Sequence, residues 1–145
     1  MSKDDSKCIA DEAQVVEAFI SFLPPSSTAA ASAVGGAMLQ RLRDMRTALE
    51  GSSWFSKHEA VGSSLLFVYD QAAVRVWGGE AEQGASSAAG ANVWMIDFAH
   101  THEAPPSSEP LSHRECSPGS PQGDGYLTGL DHLISVWERV LEDLS

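Results

Sequence analysis

The sequence predicts an α+β fold in which a small antiparallel sheet is flanked by helices. Apolar residues recur at helical spacing in three segments, and short apolar or alternating runs occur in three others. Of the 145 residues, 43% are hydrophobic and 20% are charged. This composition is that of a folded chain that can bury a core, and the length fits one domain.

The N-terminal third of the chain is predicted to contain two helices. Residues 1–11 are polar and mixed in charge, which is typical of a disordered or truncated end. Residues 12–23 have an apolar face at helical spacing, and two prolines follow and end the helix. Residues 24–36 are rich in Ala, Ser and Gly, so we interpret them as a flexible low-complexity insertion, with a nascent Ala-rich helical turn as a further possibility. The strongest helical pattern covers 37–50.

The middle of the chain is predicted to form the sheet. Residues 63–69 are a short apolar run, 73–77 alternate apolar and polar positions, and 92–97 are a second apolar run that ends in an acid. Residues 78–91 consist largely of Gly, Ala and Ser, so we interpret them as a second low-complexity insertion in a surface loop.

A long loop and a third helix are predicted to complete the chain. Residues 101–124 contain prolines and serines without periodicity, which predicts a mobile irregular loop. Residues 127–143 carry a continuous apolar face at helical spacing. Cys8 and Cys116 have no CxxC partner, so we interpret them as reduced thiols; the alternative, a disulfide between them, would need an oxidising compartment.

Charge and hydropathy exclude several classes of function. The net charge is −11, from 9 basic and 20 acidic residues, so no basic face is available for nucleic acid. No apolar run approaches the ~18 residues of a membrane span, and no N-terminal segment has the pattern of a signal peptide. We therefore expect a cytoplasmic or nuclear protein without a membrane span. No basic amphipathic helix supports binding to calmodulin.

Two apolar segments carry polar residues that are candidates for a binding or catalytic site. Asp97 comes directly after one apolar run and is followed by His100, while Ser64 lies at the start of the other run. A carboxylate at a strand end can hold Mg²⁺ beside nucleotide phosphates, because this cation prefers oxygen ligands. The alternative is that Asp97 only forms a turn or caps a helix.

The loop also contains residue types that bind zinc. His100, His102, His113 and Cys116 lie within a short stretch, but their spacing matches no closed structural zinc site. We expect His102 and His113 to be solvated.

Four stretches of the chain resemble the inositol polyphosphate kinase family, and most closely its inositol trisphosphate kinases. The resemblance covers about residues 12–145 and implies a partial kinase domain, corresponding to the C-terminal lobe of a kinase-like fold. The matching stretches occur in the order of the family and read HEAVGSSLLFVYD (58–70), NVWMIDFAHT (92–101), LSHR (111–114) and DGYLTGLDHLI (124–134).

The resemblance implies a site for ATP and Mg²⁺, or Mn²⁺, and an inositol polyphosphate as substrate. It assigns Asp97 as the metal-binding acid and places Ser64 and His100 beside the nucleotide phosphates. The trisphosphate kinases typically carry Gly-Lys where this chain has Ala99-His100. This departure looks more like the multikinase and hexakisphosphate kinase branches and leaves the substrate branch open.

One signature of the family is absent from the 145 residues. The string P-x-x-x-D-x-K-x-G supplies the catalytic acid and a substrate-binding lysine in the family, and the sequence contains no such string. We therefore assign no catalytic residue. The expected function is an ATP-dependent inositol polyphosphate kinase, with inositol trisphosphate favoured. The alternative is a catalytically incomplete fragment or remnant that binds nucleotide or protein weakly.

Overall fold

The computed structural model describes residues 11–71, 90–106, 109–114 and 125–145. These parts contain three α-helices and two small antiparallel sheets, which confirms the α+β class. No helix in the described ranges is long and apolar enough to cross a membrane. The elements in chain order are α1 (Glu12–Phe22), α2 (Thr28–Glu50), a 3₁₀ turn (Phe55–Lys57), β1 (His58–Ala60), β2 (Ser64–Tyr69), β3 (Ala91–Ile96), β4 (Thr101–Glu103) and α3 (Tyr126–Asp143).

The first helix begins and ends where its sequence predicts. Asp11 caps α1, because its carboxylate accepts a hydrogen bond from the backbone N–H of Gln14 at 2.9 Å. The chain turns extended at Leu23, directly before Pro24. The third helix likewise agrees with its predicted range to within one residue at its start.

The predicted flexible insertion over 24–36 is wrong from Thr28 onward, because these residues form the first turns of α2. Ser27 caps the helix by accepting the N–H of Ala30 at 3.1 Å. The small residues bring α2 close to α3: a Cβ built on Gly35 would lie 3.0 Å from Leu141 Cδ2. Low complexity here reflects close helix packing, since small side chains let two backbones approach each other.

The two longer strands, both predicted from their apolar runs, pair with each other in antiparallel orientation. In the β2–β3 ladder Ser64 lies opposite Ile96 at one end and Tyr69 lies opposite Ala91 at the other. The predicted strand 73–77 and most of the insertion 78–91 lie outside the described residues.

The second sheet pairs β1 with β4 and was not predicted from the sequence. His58 lies opposite Glu103, and Ala60 lies opposite Thr101. Each strand has three residues, which is too short for an alternating pattern to be recognised.

The core lies between the three helices and one face of the β2–β3 sheet. An aromatic cluster of Phe19, Phe67 and Trp137 joins α1, β2 and α3 at this core. The ring centroid of Phe19 lies 4.7 Å from Trp137 and 5.6 Å from Phe67. Trp137 is fully buried.

Within the predicted loop over 101–124, residues 101–103 instead form β4, and the described residues after β4 are irregular and hydrogen-bonded to the 3₁₀ turn. The N–H of Leu111 donates to the carbonyl of Ser56 at 2.8 Å. His113 was expected in solvent but is only 3% exposed, because its ring stacks on Phe55 at 3.8 Å and its Nε2 lies 2.8 Å from the Phe55 carbonyl oxygen. His102 is exposed, as expected. Residues 107–108 and 115–124 lie outside the described part of the chain.

Candidate functional site

The structure brings Ser64 and Asp97 to the same end of the β2–β3 ladder. Ser64 is paired with Ile96, and Asp97 is the next residue after Ile96. Both side chains are exposed. The two residues that the sequence assigned to separate segments are therefore neighbours across the strand pair.

The backbone at Asp97 is left-handed, with φ of 63°. This conformation ends the strand and turns the chain sharply, and Asp and Asn tolerate it better than most residues. The turn that follows is closed by a hydrogen bond from the N–H of Thr101 to the carbonyl of Phe98 at 3.1 Å. Asp97 thus lies at the junction between two strands and not at a free chain end.

A second contact ties this turn to the segment before β2. The N–H of Val61 donates to the carbonyl of His100 at 3.3 Å. Gly62, with φ of 68°, then redirects the chain from β1 into β2. His100 lies in the same turn as Asp97, with its side chain exposed. The sheet pairing on both sides fixes the backbone that carries all three predicted site residues.

The residues at this end of the ladder fit a cation that is shared with a phosphate ligand. Mg²⁺ typically takes one or two protein carboxylates and completes its shell with water and substrate phosphates. Asp97 supplies one exposed carboxylate, and Ser64 is exposed at the same end of the ladder on the paired strand. No group of three or more metal-ligating side chains occurs among the described residues, so nothing there forms a protein-only centre such as a zinc site.

An exposed apolar surface extends from the Asp97 end along the sheet. Alternate residues of β2 and β3 point away from the helices, so this face has no covering layer in the described structure. Contiguous exposed apolar surface usually marks an interaction site. Its members are 39–54% exposed and are Leu66, Val68, Trp94, Ile96 and, just beyond β3, Phe98.

The described arginines are all engaged by partners on neighbouring elements. Arg41 donates to Asn92 at 2.9 Å, and Arg43 donates to Glu138 at 2.6 Å. Arg139 pairs with Glu12 at 2.7 Å. These three guanidinium groups are therefore each held by a different partner and not by a shared anion site.

Two further arginines belong to a closed ring of four charged side chains. Asp131 accepts from Arg46 and from Arg114, each at 2.5 Å, and Glu50 accepts from Arg46 at 2.8 Å and from Arg114 at 2.9 Å. The Arg114 hydrogen bond is the main cause that lowers the pKa of Asp131 and of Glu50. The ring joins α2, the segment before α3 and α3 itself.

The four residues of this ring were not predicted from the sequence to form a site. The spacing of Arg46 and Glu50 by four residues on one helix was a readable signal for part of it. The contacts to Arg114 and Asp131 depend on the tertiary fold and had no such signal.

Comparison with known proteins gives a consistent result. The chain matches the family described as inositol polyphosphate kinase over residues 1–138. It is 45% identical over 102 residues to inositol-trisphosphate 3-kinase C of Mus musculus, covering 70% of this chain and 12% of that protein. It is 38% identical over 106 residues to the inositol-trisphosphate 3-kinase homolog of Caenorhabditis elegans, covering 72% of this chain and 18% of that protein.

A human relative matches this chain with a similar identity and a similar coverage of both sequences. Inositol-trisphosphate 3-kinase A of Homo sapiens is 38% identical over 104 residues, covering 72% of this chain and 19% of that protein. The matched part of the chain therefore spans less than a fifth of the length of each of these relatives.

Proposed function

Because this chain belongs to the inositol polyphosphate kinase family, we propose that it carries the nucleotide and metal end of a kinase site. The proposed reaction transfers the γ-phosphoryl group of ATP to a hydroxyl of a soluble inositol polyphosphate. Inositol trisphosphate is the favoured substrate, since the matching relatives are named inositol-trisphosphate 3-kinases. The observation that carries this proposal is the meeting of Ser64 and Asp97 at one end of the sheet.

Asp97 would hold Mg²⁺, or Mn²⁺, at this end of the ladder. When bound there, the cation would supply neutralisation of the charge that develops during phosphoryl transfer, and the Asp97 carboxylate would hold it in place. Ser64 is suited to donate its hydroxyl hydrogen to a phosphate oxygen, because it is exposed at the same end of the ladder as the acid. His100 is placed in the same turn and would add a second donor to the phosphates when its ring N–H is directed toward them.

The exposed apolar face supports the nucleotide part of the proposal. A nucleotide base is flat and largely apolar on its two faces, so it can stack on an apolar sheet surface while its phosphates reach a polar end. Leu66 and Trp94 are register partners in the middle of this face, and Ser64 and Ile96 are partners at the Asp97 end. The apolar middle of the surface would therefore contact the base of ATP, and the polar end at Asp97 would contact its phosphates.

We propose that the clamp for the inositol phosphate comes from residues other than the described arginines. A polyphosphate needs several Lys or Arg side chains around it, and the five described arginines are engaged elsewhere. The signature that carries the catalytic acid and a substrate lysine in the family is absent from this sequence. We therefore assign Asp97, Ser64 and His100 to the nucleotide and metal, and no residue of this chain to the catalytic base.

The same observation supports a second candidate function. A chain with a nucleotide surface but no polyphosphate clamp would bind Mg²⁺–ATP weakly without transferring its phosphoryl group. The exposed apolar face would equally suit a protein partner.

A phosphoryl-transfer assay separates the two candidates. The purified chain is incubated with labelled ATP, Mg²⁺ and inositol trisphosphate, beside the variants Asp97→Asn and Asp70→Asn. Asp70 lies next to Tyr69 at the opposite end of the ladder, so its variant controls for the loss of one negative charge. Product that forms in the wild type and in Asp70→Asn but not in Asp97→Asn supports the kinase. A folded chain that binds ATP and yields no product supports the binding module.

A further inference from the structure

The outer edge of β2 has no strand beside it in the described structure, where β2 pairs with β3 alone. In an antiparallel pair, hydrogen-bonded residue pairs alternate with pairs whose backbone groups point away from the partner strand. The N–H of Asp70 donates to the carbonyl of Gly90 at 2.6 Å, so this pair belongs to the hydrogen-bonded set. Every second residue back from Asp70 shares this arrangement. The backbone N–H and C=O groups of Leu65, Phe67 and Tyr69 therefore point away from β3.

The other edge of the same sheet, on β3, is blocked at its centre. The N–H of Val93 points outward, but it donates to the side-chain oxygen of Asn92 at 2.9 Å. Arg41 of α2 donates to the same oxygen at 2.9 Å and so holds the amide in place. Within the described ranges, no side chain or loop makes a hydrogen bond of this kind to the outward N–H groups of β2. Proteins normally cover or block a free edge, because it can pair with another chain, so the open edge of β2 indicates a place where a strand is added.

The surfaces that flank the open edge are apolar on both sides of the sheet. On the solvent side, Leu66 and Val68 of β2 are exposed. On the helix side, Leu65 and two leucines of α3, Leu130 and Leu133, line a shallow depression that opens to solvent. Successive side chains of a strand point to opposite faces, so a strand beside β2 would contact both surfaces in alternation.

We propose that the outer edge of β2 binds an extended segment of a partner polypeptide, which adds a third strand to the sheet. In this mode of recognition, main-chain hydrogen bonds give affinity and pockets for alternate side chains give specificity. The segment would match the six residues of β2 and carry apolar side chains at the alternate positions that face α3. The proposal does not depend on the kinase function, because Asp97 follows β3 and the added strand lies on the opposite side of β2.

Charge defines the ends of the partner segment. The net charge of this chain is −11, and Asp70 directly follows β2. Basic residues at the ends of the segment would therefore be attracted to this chain. A second copy of the chain carries the same net charge and would be repelled, so the partner is a different polypeptide.

Hydrogen exchange measured by NMR tests the proposal at single amides. The full 145-residue chain is titrated with the synthetic peptide Lys-Val-Thr-Ile-Thr-Val-Lys. At a peptide concentration of about ten times Kd, only about a tenth of the chain is free, so exchange at the outer edge should slow about ten-fold. This protection should appear at the amides of Leu65, Phe67 and Tyr69. The amides of Leu66 and Val68 already bond to β3 and should change little.

Two modified peptides separate strand addition from simple apolar contact. Each carries N-methyl groups on one of the two alternate sets of its backbone amides. Methyl groups that face β2 remove the donors and prevent pairing, whereas methyl groups on the far edge leave the facing donors intact. One of the two peptides should therefore protect the three amides, and the other should not. Replacing both lysines of the unmethylated peptide by glutamates should weaken binding about ten-fold at low ionic strength.

Four results would overturn the proposal. Protection of the three amides in the free chain at every concentration would mean that another part of the chain already covers the edge. Protection that rises with the concentration of the chain alone would mean that a second copy occupies it. Equal protection by the two methylated peptides would mean that the contact is apolar and not a strand pair. The last is a lack of protection at these amides with the unmethylated peptide.

Discussion

Replacement of Trp137 by Phe should cost far less stability than replacement by Ala. Trp137 is fully buried and contacts Phe19 and Phe67 with ring centroids at 4.7 and 5.5 Å. Truncation of a buried Trp to Ala typically lowers the free energy of unfolding by about 3–5 kcal/mol. The indole Nε1–H, however, has no hydrogen-bond partner among the described residues.

The unpaired N–H determines the expected change in the free energy of unfolding for Trp137→Phe. The smaller ring loses about 2 kcal/mol of apolar burial and packing, and removal of the buried unpaired donor returns about 1–3 kcal/mol. The two effects nearly cancel, so we expect a net change within about 1 kcal/mol.

Urea unfolding followed by far-UV circular dichroism measures both variants. With an m-value of about 2 kcal/mol/M, Trp137→Ala should lower the midpoint by about 2 M and Trp137→Phe by less than about 0.5 M. A loss in Trp137→Phe as large as that in Trp137→Ala, at an unchanged m-value, would refute the reasoning. It would mean that the indole N–H is paired in solution.

Two further predictions concern α2 and the ring of charges. Gly36→Ala should raise the free energy of unfolding by about 0.5–1 kcal/mol, because a Cβ there meets no atom within 4 Å. Gly35→Ala should raise it less or lower it, because its Cβ would lie 3.0 Å from Leu141 Cδ2. Thermal melts of the two variants measure this difference. Because Arg114 lowers the folded-state pKa of Asp131, the stabilisation is present above the unfolded pKa of about 3.9 and is lost as pH falls through the folded value. The difference in free energy of unfolding between wild type and Asp131→Asn should therefore disappear in acid. A difference that stays constant with pH would contradict this prediction.

Periodicity predicted the elements that are long and regular. The helices at 12–23 and 127–143 and the strands at 63–69 and 92–97 all have an apolar face that must be buried, so their pattern is visible in the sequence, whereas the pairing of these two strands with each other was not. The start of α2 was missed because Ala and Gly give little hydrophobic signal, although they pack closely against α3 in the fold.

The site was predictable in part. The sequence placed Asp97 at a strand end and Ser64 at a strand start, but it could not show that the register makes them neighbours. The buried position of His113 also depends on a tertiary contact, namely its stacking on Phe55. Polar residues in a proline-rich stretch look solvated unless the surface that covers them is known.

The most direct test of the account is whether Asp97 binds the divalent cation of a nucleotide complex. Mn²⁺ with ATP is added to the isotope-labelled chain, and the paramagnetic broadening of backbone amide signals is measured by NMR. Wild type and the Asp70→Asn control should lose the signals of Ser64, Ile96 and Phe98, while Asp97→Asn should retain them. Asn tolerates the left-handed backbone at this position, so the variant changes the ligand and not the turn. Equal broadening in Asp97→Asn, or broadening elsewhere in the chain, would contradict the account.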